Sequence, residues 1–425
     1  MNHSPADPGR PVAALGRPIV AIAHAGQVGE SPAAYTDASL NVIRRLTTEV
    51  VSLATDLPAM VRGKTVLVKP NLVRPNPKNP FAVVTDERVL FALVELLKDA
   101  GAREIWIGDN PGYGLPLAEA LAQLGDFKAR LAGYGTRLRF FDEEEKVVVD
   151  NPEATIFSPM ILPKSLLDAE VYINLPKMKT HMHALVTLGI KNQYGLILDD
   201  QRMFFHRNDL HVKMVDILYK VRPHLTLVDG IIAAQGQAPL SGSVVPDMNT
   251  LVAGEDIVAV DTVATSVMGI HPMEVAMLRL CRQEGLGETD VDRIEIRGQS
   301  IEAVRRQFTR PIISPQGAYD EVQCIEGGAC NGCLSALRHS LDKLAGEGAL
   351  AGNPIQSVYV GKPMPDMVNL KKLRGPLWCF GSCAADLIFS QAERKPLARF
   401  IPGCPPHILE FYKAYKQLMA EEAQS

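Results

Sequence analysis

The sequence predicts an α/β protein: mostly parallel sheet or sheets covered by helices, followed by a small C-terminal α/β module. Three observations predict this. Short Val- and Ile-rich runs alternate with stretches of helical periodicity from residue 18 to about residue 300. The apolar runs end in polar exits such as Lys69-Pro70-Asn71 and Asp109-Asn110-Pro111. Beyond residue 310 the alternation continues on a smaller scale, with cysteines at three glycine-flanked turns. The expected division is a disordered tail over 1–17, an α/β domain over 18–310 with room for two lobes, and a module over 311–425.

Each element has its own reason. "PIVAIAHAG" is apolar and bounded by turn residues, which predicts a strand, and residues 38–57 carry helical periodicity. "KTVLVKPNLV" is a strand that stops at Lys69-Pro70-Asn71, because the residue before proline avoids helix. "TDERVLFALVELLKDAG" reads as a helix with Thr85 as N-cap, acids in its first turn and Gly101 at its end. "EIWIGDNPG", "LRFFD", "EVYINLP", "HLTLVDGIIA" and "NTLVAGED" are further strands, and helices are expected at 209–220, 256–269 and 273–284. Parallel strands buried on both faces give such continuous apolar runs.

Composition narrows the function classes. The 425 residues are 47% hydrophobic and 22% charged, a globular balance. A net charge of −4 gives no bulk attraction to nucleic acid or a membrane surface. No apolar run approaches the roughly 20 residues of a membrane span. The Pro-rich N-terminus lacks the layout of a secretory signal, so a reducing cytoplasm is expected. Seven cysteines in a long chain argue against a disulfide framework. No dinucleotide fingerprint, P-loop or nucleophile elbow occurs.

Ligands of open parallel sheets bind beyond the carboxyl ends of the strands. Lys69, Asn71, Asp109, Asn110, Asn174, Lys177 and Asp229 lie at such exits. Singly, each Asp or Asn could merely shape a turn; together they point to one cleft. The densest constellation is "PKMKTHMHALVTLGIKNQYG", with Lys177, Lys179, His181, His183, Lys191 and Asn192 and no acid, followed by His206, Arg207 and His211. Clustered cations suggest a pocket for a carboxylate or phosphate, against the alternative of a solvated basic face. If 181–191 were helical, His181 and Lys191 would stand about 15 Å apart along the axis; a break at Thr187–Gly189 would bring them together. His181, Lys191 and His206 are the candidate proton-moving groups, and Lys69, Asn71, Asp109, Asn110, Lys177, Lys179, Asn192 and Asp229 the candidate substrate contacts. His181-Met182-His183 alone is a weak metal signal.

"EGGACNGCLSAL" places Cys330 and Cys333 two residues apart, and "GPLWCFGSC" and "ARFIPGC" put Cys383 and Cys404 at two later turns. A disulfide, a zinc knuckle, a redox dithiol and an iron-sulfur cluster are the possibilities. Three strand exits side by side would converge Cys330, Cys333, Cys383 and Cys404, and the flanking glycines let backbone approach a cluster. Zinc ribbons pair two CxxC knuckles, and a thioredoxin-like CxxC needs neither later cysteine. Pro405 and Pro406 fix the chain after Cys404 and can start a helix. Cys281 reads as core. Cys324 and Cys379 are left as substitute ligands or solvent-side thiols.

"CNGC", "GSCA" and "PGCPP", in this order over roughly 320–415, resemble the iron-sulfur domain of the nickel-iron hydrogenase small subunit and the related respiratory complex I subunit. The resemblance implies one [4Fe-4S] cluster on Cys330, Cys333, Cys383 and Cys404. The long arm and further cluster motifs of those subunits are missing. "VLVKPNLV", "INLPKMKTHMHALVTLGIKNQYG", "LVDGIIAAQGQAPLSG" and "AGEDIVAVDTVATSVMGI" look like the family catalogued as domain of unknown function 362, over about 18–300. More distantly, His181, Thr187, Gly189 and Lys191 share the spacing of nickel-pincer lactate racemases, where the His and Lys help hold the pincer cofactor.

The expected function is a [4Fe-4S]-dependent oxidoreductase acting on a small anion in a Lys/His-lined cleft beside the cluster. The alternatives are a non-redox isomerase, racemase or lyase with a structural or Lewis-acid cluster, and an electron-transfer or maturation scaffold. Expected partners are a small anionic molecule, a redox protein such as a ferredoxin and a second copy in a homodimer, with no nucleic acid and no membrane span.

Overall fold

The computed structural model describes residues 16–26, 36–73, 80–111, 115–198, 201, 210–239, 242–245, 247–363, 372–385, 387 and 397–422. The chain divides into two compact units, one drawn from residues up to 202 and Leu210–Pro311, the other from Ile312–Ser425.

The strands of the first unit are β1 (Ile19–His24), β2 (Thr65–Pro70), β3 (Glu104–Asp109), β4 (Arg137–Phe140), β5 (Lys146–Val149), β6 (Met160–Pro163), β7 (Val171–Leu175), β8 (Lys177–His181), β9 (Leu185–Thr187), β10 (Leu225–Gln235), β11 (Ser243–Val245), β12 (Thr250–Gly254) and β13 (Glu295–Gly298). Their main sheet runs β13-β1-β12-β10-β7-β2-β3-β4, with β8, β9 and β11 attached through β10; β5 and β6 form a separate hairpin. Pairing is parallel from β4 through β10, antiparallel from β10 to β12 and β12 to β1, and parallel again from β1 to β13. The α/β class with a mostly parallel, helix-covered sheet is therefore present, and β12 makes it mixed.

Burial explains the apolar runs. All six residues of β2 and all five of β7 are buried. Alternate residues of β1 face opposite ways: Ala21 and Ala23 join a core with the helices Asp37–Ala54 and Glu87–Asp99, whereas Val20 and Ile22 join a core with the helix Ile257–Val267. Along the chain, β2, β3 and β4 step outward in one direction, then β7 returns to the other side of β2. The topological switch therefore lies between the carboxyl ends of β2 and β7.

Two local expectations are corrected, and one alternative left open is decided. The helix after Pro80–Val83 is capped by Asp86, which accepts from Arg88 N, and not by Thr85. The Thr85 hydroxyl instead accepts from Asn71 N (2.8 Å) and donates to Leu175 O (2.9 Å), tying the exits of β2 and β7 together. The helix over 38–57 ends at Ala54, with a second turn at Leu57–Val61 started by Asp56. Residues 181–191 are not one helix: β8 and β9 form a hairpin and a single helical turn, Gly189–Asn192, follows.

In the second unit, β14 (Val322–Glu326), β15 (Gln356–Val360), β16 (Leu377–Phe380) and β17 (Leu397–Ile401) form a fully parallel sheet in that order. The helix Asn331–Gly346 follows β14, and Ile408–Glu422 follows β17. Pro405 and Pro406 thus precede the last helix and do not begin it. Trp378, Phe411 and Tyr415 pack in the core of this unit. Cys324 and Cys379 are buried within strands, which corrects the reading of either as a solvent-side thiol, and burial pushes both thiols up, to about 12 and about 11. Cys281 is fully buried in the apolar core of the first unit.

Candidate functional site

The exits of β2, β3, β7 and β8 carry a buried polar network. Lys69 Nζ lies 2.6 Å from Asp109 Oδ1, both side chains almost wholly buried. Asp109 is held by N–H donors from Leu72 (2.8 Å) and Asn110 (2.9 Å). The Asn110 side chain reaches Ile197 O at 3.4 Å. On β8, Lys177 stands in register with Asp229 of β10, and their side chains pair at 2.8 Å with no exposure. Asp229 also accepts from Asp86 N and Ile231 N. Burial raises its pKa despite the Lys177 charge.

Asn192 occupies the switch point. Its Nδ2 donates to Asn174 Oδ1 (2.8 Å), while its Oδ1 accepts from Asn71 Nδ2 (2.9 Å). Asn174 Nδ2 in turn donates to Gly189 O. Lys179 donates to Asn71 Oδ1 (3.2 Å) and to Val83 O. Its pKa is held well below the ordinary lysine range, first by burial, then by the charges of Lys191 and Lys177, against the opposing pull of Asp109. Lys191 is half-buried, with Nζ 5.0 Å from the Tyr194 ring centroid. Lys69, Lys177 and Lys179 are buried, which rules out a solvated basic face for them, and the acids absent from the local sequence arrive from β3 and β10.

His181 ends β8, half-buried. Its Nδ1 accepts from the backbone of His183 (3.0 Å) and Ala184 (3.3 Å), so the neutral ring carries its proton on Nε2. His181 thereby closes the turn to β9. His206 and Arg207 lie outside the described residues.

Sequence reasoning missed Asp261. Its two oxygens accept from Gly189 N (2.7 Å) and Ile190 N (2.9 Å), the first amides of the turn that bears Lys191 and Asn192. Burial raises its pKa to about 7 in spite of those bonds. Gly195 was also missed. A Cβ there would lie 2.5 Å from both Asp109 Oδ1 and Lys69 Nζ, so only glycine lets the backbone lie over that pair. The Tyr172 hydroxyl is buried without a hydrogen-bond partner among the described residues; burial, then Asp109, holds it protonated.

In the second unit the four cysteines stand at three touching turns. Cys330 immediately precedes the helix Asn331–Gly346 and is exposed; Cys333 lies in its first turn and is buried. Cys383 sits in the turn Ser382–Ala384 after β16, and Cys404 follows β17; both are exposed. Ser382 N donates to Gly403 O (2.7 Å), and Gly403 N donates to Ser382 Oγ (3.0 Å). Gly381 has φ +93, and a Cβ there would meet Cys333 Sγ at 3.0 Å. Gly332 packs on the Pro405 ring, where a Cβ would stand 3.4 Å away. A hydrogen bond from Cys333, then the Cys333 and Gly332 amides, bring the Cys330 thiol down to about 5. The same hydrogen bond, burial and the charges of Cys330, Cys404 and Cys383 push Cys333 far up. Cys333 thus lies within electrostatic reach of the other three sulfurs, and Cys404 within reach of Cys330 and Cys383. Among the described residues no group of three or more His, Cys, Asp or Glu that could hold a metal ion is found. A cluster of several irons is held at its corners by separate thiolates. Among the described residues no helix is long and apolar enough to cross a membrane.

Comparisons give the chain its relatives. It is 28% identical over 244 residues to the thylakoid-associated protein sll1697 of Synechocystis sp., covering 53% of this chain and 70% of that one. Among solved structures it is similar to the lactate racemase apoprotein of Thermoanaerobacterium thermosaccharolyticum, at 12% identity and a TM-score of 0.38, covering 82% of this chain and 70% of that one. It is also similar to a Thermotoga maritima protein at 14% identity and a TM-score of 0.30, over 51% of this chain and 55% of that one. Residues 66–266, spanning the network around Lys69, Lys177 and Asn192, match the family described as a domain of unknown function, DUF362.

Proposed function

We propose that the chain is an iron-sulfur oxidoreductase, with one [4Fe-4S] cluster on Cys330, Cys333, Cys383 and Cys404 and a small anionic substrate or cofactor taken up at the lysine-rich network of the first unit. The observation that carries the proposal is the meeting of the three separate turns that bear the four thiols, tied by the Ser382–Gly403 hydrogen bonds and by the close approaches of Gly381 to Cys333 and of Gly332 to Pro405. When bound, such a cluster supplies one-electron transfer. Lys191, half-buried beside Tyr194, is the cation best placed to meet an anion, while Lys69 and Lys177 are each neutralised by a buried carboxylate. Asn192, braced by Asn71 and Asn174, fixes the turn that presents Lys191. His181 offers Nε2–H for proton transfer while its Nδ1 stays engaged with the turn.

Anaerobic reconstitution with iron and sulfide tests the cluster. The expected result is about four irons and four sulfides per chain, with an absorbance that bleaches reversibly on reduction. Cys383→Ala and Cys404→Ala should each lower iron content, whereas Cys281→Ala should not. A chain that takes up no iron, or equal uptake in all three variants, would sink the assignment.

A further inference from the structure

We propose that Lys179 is a nucleophilic amine that condenses with the carbonyl carbon of a small α-oxo carboxylate. The inference rests on the anion-site reading above and sharpens it by naming a substrate class.

Lys69 and Lys177 each face a carboxylate, Asp109 and Asp229. Among the described residues, Lys179 meets two carbonyl oxygens instead, Asn71 Oδ1 and Val83 O. An –NH3+ group carries three N–H donors and no lone pair; an –NH2 group carries two donors and one lone pair. Two carbonyl acceptors satisfy the neutral amine and leave a third donor of the cation without a partner. The environment agrees, since Lys179 is 1% exposed and lies near Lys177 and Lys191 without a carboxylate partner of its own. Amines desolvated beside other cations are activated in this way. Lys191 supplies the charge that would hold the carboxylate of the incoming molecule.

The condensation balances without an oxidant. The lone pair of Nζ adds to the carbonyl carbon, the carbonyl oxygen takes up a proton, and a carbinolamine forms. The C–O bond then breaks, water leaves with the two hydrogens formerly on the amine, and a C=N bond remains.

The test uses the full chain at pH 7 with glyoxylate, the smallest α-oxo acid, and cyanoborohydride to reduce the imine; peptide mass mapping then locates the adduct. An ordinary lysine is unprotonated to roughly one part in a thousand or less at this pH. Lys179 should therefore be trapped about tenfold faster or more than the exposed Lys98 and Lys128. Lys179→Arg should lose the adduct, and Lys191→Gln should slow trapping of glyoxylate but not of acetaldehyde. The comparison within one chain needs no variant, so a misfolded Lys179→Arg leaves the test intact. Trapping of Lys179 no faster than that of Lys98 overturns the inference. If saturation-transfer NMR then still detects bound glyoxylate, only the nucleophile falls; if it detects none, the anion site falls with it.

Discussion

Lys69 and Asp109 lie 2.6 Å apart with almost no contact with water. Two charges taken out of solvent repay their desolvation only through each other and their remaining hydrogen bonds. Lys69→Met strips the cation and leaves Asp109 on backbone donors alone. The expected loss is about 3–5 kcal/mol in urea unfolding. Adding Asp109→Asn should recover a large part of it, and the double-mutant cycle measures the coupling directly. A recovery near zero would mean that the pair is not coupled. This pairing was not legible in the sequence. Lys177 and its acid lie 52 residues apart, and strand register, not local pattern, sets them face to face. The cationic run was readable; its neutralisation was not.

The stretch from β8 through the turn Gly189–Asn192 shows the same limit one level up. Its hairpin bends with Leu185 at φ +67, a left-handed conformation usually left to Gly or Asn, and it is closed by the His181 ring. No turn signal marks it, so helical periodicity and hairpin could not be told apart. The strands β2, β3 and β7 were legible because burial on both faces demands unbroken apolar runs. Thr85 and Asp86 are both good caps, and only the demand of two strand exits for the Thr85 hydroxyl decides between them. The turn at Gly189 also stores a pH dependence. Asp261 has its pKa raised from 3.8 to about 7, so between these values the folded chain holds a proton that the unfolded chain lacks. Its contribution to stability is fully present below about pH 4 and is lost as pH rises to about 7. Relative to Asp261→Asn, the natural chain should lose stability on the order of 4 kcal/mol from pH 4 to 7.5. Urea midpoints at a series of pH values check this; parallel curves for the two proteins would remove Asp261 as the source.

At the scale of the whole molecule, two sheets with separate apolar cores share one chain. The cysteine turns were legible because glycine, and at Cys404 proline as well, flanks the cysteines where apolar strands end. The mixed sheet was not, since nothing in "NTLVAGED" tells an antiparallel strand from a parallel one. The two tryptophans fall one to each unit, which makes the units separately readable. Trp106 lies in β3, with the Arg139 guanidinium 3.9 Å above its ring; Trp378 lies in β16, three residues before Gly381, and packs against Phe411. Trp106→Phe and Trp378→Phe therefore yield full-length chains that each report one unit. A cluster bound only by the folded second unit adds its binding free energy to that unit's stability. Removing iron should then lower the unfolding midpoint seen by Trp378 while the midpoint seen by Trp106 stays in place. A common shift of both midpoints would mean that the two sheets unfold as one cooperative body. No shift in either would mean that the four thiols hold nothing whose loss the fold can feel.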